Sequence, residues 1–150
     1  MLKIITNNPQ ETENLGYKLG KTLEAGDIIC LIGDLGAGKT TLTKSIAKGL
    51  DIDDYITSPT FTLIKEYEGR YPLYHFDVYR INDVDEMYDL GYEEYIFGEG
   101  VSIIEWANII DDILPKEKLI IDIKRKDINK REINIYGEGN RYKEIIKELS

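Results

Sequence analysis

Apolar residues along this chain fall into two rhythms, short unbroken or alternating runs and stretches spaced by three and four positions. Together these predict strands and helices in alternation. LKIIT near the start is apolar and β-prone. Asn8, Pro9 and Glu11 then read as N-cap, first helical position and acidic first turn, so a helix is predicted from Pro9 to Leu23 with Leu15, Leu19 and Leu23 on one face. Ala25 and Gly26 stop it. DIICLI (27–32) is a run of the kind expected for a buried central strand, and Lys39–Leu50 a helix placing Leu42, Ile46 and Ala47 on the sheet. Between Tyr55 and Ile81, FTLIKEY and YPLYHFDVY separated by EGR predict an antiparallel hairpin. DVDEMYDL and EEYIF read as short helices on either side of Gly91. VSIIEWA (101–107) is a second buried-strand candidate, NIIDDIL a short helix ended by Pro115, KLIIDIK with EINIY a closing pair of strands, and RYKEIIKEL a C-terminal helix.

At 150 residues, one domain spanning 1–150 is expected. No apolar run reaches membrane-spanning length and the first residues lack a basic-then-apolar signal pattern, so a cytoplasmic protein with no membrane partner is expected. The lone cysteine, Cys30, lies in the DIICLIG run and reads as core. The net charge of −9 is uneven: residues 1–50 carry +1, residues 51–115 carry −13 and residues 116–150 carry +3. The acidic middle would repel a phosphate backbone, which argues against direct nucleic-acid binding and for a basic protein partner. A merely solvated acidic face is the plainer alternative. Eight of the eleven tyrosines lie between residues 55 and 95, where they are expected to cover one side of a sheet.

GDLGAGKTTLTK (33–44) carries the chemistry. Gly33, Gly38, Lys39 and Thr40 fit G-x-x-x-x-G-K-[ST] between a predicted strand and a predicted helix. Glycines let successive backbone N–H groups turn inward around phosphates, and the helix N-terminus adds partial positive charge. Gly33, Asp34, Leu35, Gly36, Ala37, Gly38, Lys39, Thr40 and Thr41 are therefore the candidate nucleotide cradle. Lys39, expected to lie open when no nucleotide is present, would reach the β- and γ-phosphates, and Thr40 would offer its hydroxyl to Mg²⁺. The fold class is then α/β, a phosphate-loop NTPase with a mixed, mostly parallel central sheet flanked by helices and an inserted antiparallel hairpin.

Such a loop needs an acid at the end of a neighbouring buried strand. Glu105 after Ile103–Ile104 and Asp77 after Leu73–Phe76 both qualify. In SPTFTLIKEY, Thr60 is placed where a segment sensing the γ-phosphate or the metal would lie, and Pro59 keeps Ser58 extended. Asn129–Glu132 imitates the guanine-reading N-K-x-D motif, but its last acid is glutamate and no D-x-x-G accompanies it. It reads as a polar hairpin turn, which favours ATP over GTP. His75, the sole histidine, alternates with Tyr74 and Phe76 and reads as structural. No arginine of the chain is expected to serve transition-state charge.

GDLGAGKTTL, SPTFTL, HFDVYR, LGYEEY and IEWA, in that order over roughly residues 10–115, resemble the bacterial ATPase family of tRNA threonylcarbamoyladenosine biosynthesis, TsaE. The resemblance implies weak ATPase activity with ATP and Mg²⁺ as cofactors. It also implies joint action with transferase and scaffold subunits that modify adenosine 37 of tRNAs reading ANN codons, tRNA being met only indirectly. It places Lys39, Thr40, Asp77, Glu105 and Trp106 at positions serving nucleotide, Mg²⁺ or hydrolysis, with Lys39, Asp77 and Glu105 taken as catalytic and Thr40 and Glu105 as metal-holding. Thr12 is a further candidate near the adenine, and Trp106 reads equally as core or partner-facing. Two other classes fit a phosphate loop, a small-molecule kinase and a nucleotide-binding assembly module. An arginine-rich lid of the kind a kinase uses is missing, Arg70 and Arg80 being the only arginines before residue 125.

Overall fold

The computed structural model describes every residue except Leu35, Ser58, Thr60, Phe61 and Thr62. Strand β1 (Leu2–Thr6) leads to helix α1 (Pro9–Thr22), where the Asn8 side chain accepts from the Glu11 N–H at 2.9 Å as its N-cap. Strand β2 (Ile28–Ile32) and helix α2 (Lys39–Gly49) follow. Strands β3 (Ile64–Tyr67) and β4 (Leu73–Asp77) form the expected hairpin. The short helices α3 (Asp85–Asp89) and α4 (Tyr92–Ile96) flank Gly91. Strand β5 (Val101–Glu105) precedes a segment, Ala107–Ile113, that is 3₁₀ rather than α and kinks at Ile110. Strands β6 (Lys118–Arg125) and β7 (Arg131–Glu138) and helix α5 (Asn140–Leu149) complete the chain.

The sheet runs β1-β7-β6-β2-β5-β4-β3. β2 pairs in parallel with both β5 and β6, and β5 with β4, while β7 and β3 run against their neighbours. Because β1 is antiparallel to β7, it points the same way as the central four, so the sheet is mixed and mostly parallel. β2 and β5 are buried along nearly their whole length, which is why both read as unbroken apolar runs.

Alternation sends each strand's side chains to two cores. Ile29, Leu31, Leu73 and Ile103 meet Leu19 of α1 and Leu23 at its C-cap, Leu42 and Ile46 of α2 and Ile145 of α5. Cys30, Phe76 and Ile104 meet Met87, Tyr92, Ile96 and Ile110 on the other face. Helices α1 and α2 approach so closely that a Cβ on Gly20 would stand 2.2 Å from the Ile46 carbonyl oxygen, so a hydrogen is the only side chain that fits. Arg70 ties the ends of these two helices together. Its guanidinium donates to the carbonyls of Gly49 at 2.9 Å and of Gly20, Lys21 and Leu23 at 3.0, 3.3 and 3.2 Å. At the same end Arg141 pairs with Asp27 at 2.8 Å, and the Tyr142 hydroxyl accepts the Ile28 N–H at 2.9 Å, seating α5 under β2. No helix is long and apolar enough to cross a membrane among the described residues.

Candidate nucleotide site

The opposite edge, where the parallel strands β2, β4, β5 and β6 end, gathers the chemistry. This is where open parallel sheets present ligand sites, because the loops leaving the strand ends diverge there. β2 ends at Ile32, immediately before the glycine loop. β4 ends at Asp77 and β5 at Glu105, and these two acids are register partners across the parallel pair. Alternation from Leu73 and Ile103 puts both carboxylates on the face that carries α2.

Gly38 caps α2 with φ 112°, a left-handed conformation that costs a side-chain-bearing residue but not glycine. Lys39, the first helical residue, is only 6% exposed, against the expectation that it stands open. Its Nζ donates to the Gly33 carbonyl and lies 3.5 Å from the centre of the Trp106 ring. Trp106 itself adopts φ 63°, a conformation uncommon outside glycine, and its N–H is bound by the Leu31 carbonyl at 3.0 Å. Tyr79 covers the same indole, ring centres 4.7 Å apart. Burial pulls the Lys39 ammonium below the usual lysine range, opposed by the negative charges of Glu105, Asp77 and Asp34. Burial pushes Asp77 above the usual carboxylate range; the Tyr79 N–H bond to its Oδ1 at 3.1 Å pulls it back, and the nearby Glu105 charge adds to the rise.

Glu105 is 2% exposed, and its Oε2 lies 2.6 Å from Nε2 of His75, a residue with no exposed surface. His75, read as structural, is buried and faces the α2 side with Asp77 and Glu105, while Tyr74 and Phe76 face the other core. Thr12 is buried, its hydroxyl bonded to that of Thr6 at 2.8 Å. It nonetheless lines a hollow of about 60 Å³ with Gly38, Thr41, Ile128 and Arg131. Leu35 and Thr60 lie outside the described residues.

Two features went unread in the sequence. The turn between β6 and β7 is the expected polar hairpin, but it folds over the glycine loop: Arg131 Nε donates to the Ala37 carbonyl at 2.8 Å, and its Nη1 binds carbonyls of residues 127, 128 and 130. An arginine thus does reach the loop, with those two nitrogens committed to backbone. Lys124, Arg125 and Lys126 line a second cavity, of about 280 Å³, with Asp34 and Ala37. The basic C-terminal stretch had given the only signal, and charge counting does not say where a turn folds. A larger groove, about 720 Å³, lies between α1, α2 and residues 52–56 and touches the loop helix through Thr41.

These groups fit a Mg²⁺-bound nucleoside phosphate. Among the described residues no carboxylate lies within 4.0 Å of the buried Lys39 ammonium. A cation so placed calls for an anion. No cluster of three or more His, Cys, Asp or Glu side chains forms a ready metal cage among the described residues, so Mg²⁺ here would share phosphate oxygens and water with Thr40 and Glu105.

The family model described as threonylcarbamoyl adenosine biosynthesis protein TsaE matches residues 6–133. The chain belongs to the TsaE family. It is 50% identical over 150 residues to the tRNA threonylcarbamoyladenosine biosynthesis protein TsaE of Bacillus subtilis (strain 168), covering 99% of this chain and 94% of that one. It is 39% identical over 134 residues to the protein of that name from Treponema pallidum, covering 89% and 99%. The crystal structure of YdiB from Bacillus subtilis superposes with a TM-score of 0.82 at 46% identity, covering 99% of this chain and 93% of that one. The match reaches beyond IEWA through the β6–β7 turn, so its span covers the positions of Arg131, Lys39, Asp77 and Glu105.

Proposed function

We propose that this chain binds Mg·ATP at the glycine loop and hydrolyses it in the service of threonylcarbamoyladenosine formation at adenosine 37 of tRNAs reading ANN codons. The observation that carries the reading is the buried Lys39 ammonium, which feels the charges of the strand-end acids Glu105 and Asp77 yet has no carboxylate within 4.0 Å among the described residues. In this reading Gly33–Thr41 cradle the phosphates and Lys39 leaves Trp106 to neutralise them. Thr40 and Glu105 hold the metal with its water, Asp77 orients the attacking water or the segment containing Thr60, and Thr12 borders the adenine. Bound Mg²⁺ supplies charge neutralisation at the β- and γ-phosphates.

The chain works in the cytoplasm with the transferase and scaffold subunits of the tRNA-modifying complex and meets tRNA only through them. The strongly acidic segment 51–115 supports a basic docking surface on those partners. Phosphate release and partner binding should be followed across a salt series with ATP, ADP and a non-hydrolysable analogue. The expected result is slow hydrolysis alone, faster hydrolysis with partners, and association that weakens as salt screens attraction beyond about 8 Å. Full turnover by the isolated chain, or partner binding indifferent to nucleotide and salt, overturns the coupling.

A further inference from the structure

A buried carboxylate at a strand end has no reason of its own to point at a metal. Glu105 follows Ile103 on the α2 face of β5, buried at the edge of the apolar core with Lys39 and Asp77 nearby, and a charge there is costly unless its oxygens are bound. One oxygen is bound: Oε2 meets His75 Nε2 at 2.6 Å. Oε1 makes no hydrogen bond to the described residues. The parallel register explains the meeting, since His75 stands opposite Ile103, and the glutamate chain two residues on is long enough to lean back to the imidazole. Asp77, directly opposite Glu105, is too short for that contact and instead accepts the Tyr79 N–H.

The other imidazole nitrogen tells which proton His75 carries. Nδ1 is buried and has no partner among the described residues. A hidden lone pair costs less than a hidden N–H, so the arrangement favours a proton on Nε2, donating to the carboxylate.

We propose that His75 is a positioning residue: its Nε2–H holds Oε2 of Glu105, fixing the carboxylate so that one oxygen remains for the water shell of a bound Mg²⁺. This rests on the nucleotide reading above and adds to it a residue that neither touches the nucleotide nor reacts. The relation is that of an outer-shell hydrogen bond that orients a metal ligand, the removal of which lowers metal affinity by roughly 10- to 100-fold.

The chain has one histidine, so ring-labelled protein gives a single imidazole signal. Nitrogen-detected spectroscopy should show the Nε2–H tautomer in wild type; the Nδ1–H tautomer overturns the proposal. Calorimetry of ADP binding with Mg²⁺ and with chelator then isolates the gain due to the metal. His75→Leu should cut that gain at least about tenfold while leaving metal-free ADP binding near wild type. His75→Gln, whose amide N–H reaches the same place, should restore most of it. In a Glu105→Gln background His75→Leu should cause no further loss. A His75→Leu protein with the full Mg²⁺ gain, or a Gln variant as impaired as Leu, sinks the positioning role and leaves nucleotide binding standing. If wild type binds no ADP under either condition, the nucleotide reading fails and this inference with it. Should His75→Leu not fold, the tautomer and the Gln variant decide.

Discussion

The Lys39 ammonium rests 3.5 Å from the centre of the Trp106 ring and donates to the Gly33 carbonyl. A cation on an indole face is worth about 0.5–2 kcal/mol, enough to hold the lysine in place and little enough for a phosphate to displace it. Trp106 is the only tryptophan, so its emission reports the displacement. Adding Mg·ATP should change the emission saturably. Lys39→Ala should show an altered baseline and no saturable change, with turnover lowered by about 10²-fold or more. Unchanged turnover would remove the phosphate loop from the chemistry.

Asp77 and Glu105 face each other across β4 and β5 but have different partners, and they should fail differently. Asp77→Asn is expected to retain Mg·ATP binding while losing hydrolysis, and Glu105→Ala to weaken binding itself. Calorimetric titration of both decides: normal binding by Glu105→Ala with impaired binding by Asp77→Asn reverses the assignment. Thr40→Ala should act through the metal, so its deficit in nucleotide binding shrinks as Mg²⁺ is raised.

The raised proton affinity of Asp77 also makes a statement about stability. Below the ordinary aspartate range both folded and unfolded chains carry the proton, and the fold bears no cost. As pH rises from there through the folded-state value, the folded chain binds more protons than the unfolded one, so this group's contribution to stability falls. Asp77→Asn removes that decline. Melting curves of wild type and variant between pH 3.5 and pH 7 should diverge, with the variant relatively more stable at the upper end. A constant difference across the range would refute the assignment of the strain to this carboxylate.

Arg70 makes four hydrogen bonds to carbonyls at the ends of α1 and α2. Truncation leaves partly buried carbonyls without a charged donor. Arg70→Ala should cost about 2 kcal/mol, lowering the melting temperature by roughly 4–8 °C, with nucleotide affinity little changed because the residue lies at the far edge of the sheet. An unchanged melting temperature would show that water replaces the guanidinium freely.

Burial pushes the Cys30 thiol up to about 12, well above the ordinary thiol range near 8.5. At pH 8 the native protein should react negligibly with a disulfide reagent and release one equivalent of thiol on denaturation. Fast reaction of the native protein would show that the β2 core opens readily.

Local rules wrote much of this protein into its sequence. A buried strand reads as an unbroken apolar run because both its faces are covered, as DIICLI and VSIIE show, and a helix start reads as Asn8-Pro9 because the cap bond spans three residues. The glycine loop is legible for the same reason: its function resides in the backbone of consecutive residues. What the sequence left open were contacts between residues far apart along the chain. His75 and Glu105 are 30 positions apart, and only the parallel register of β4 and β5 turns an apparently structural histidine toward the strand-end acid. Arg131 and the loop are 94 positions apart, and the β6–β7 turn reaches Ala37 because β6 lies beside β2. Lys39 is buried, not open, because a left-handed backbone at the end of β5 brings Trp106 beneath it. Periodicity specifies which face a side chain takes; which neighbour it meets there depends on strand order and register, which the core packing of the whole sheet selects.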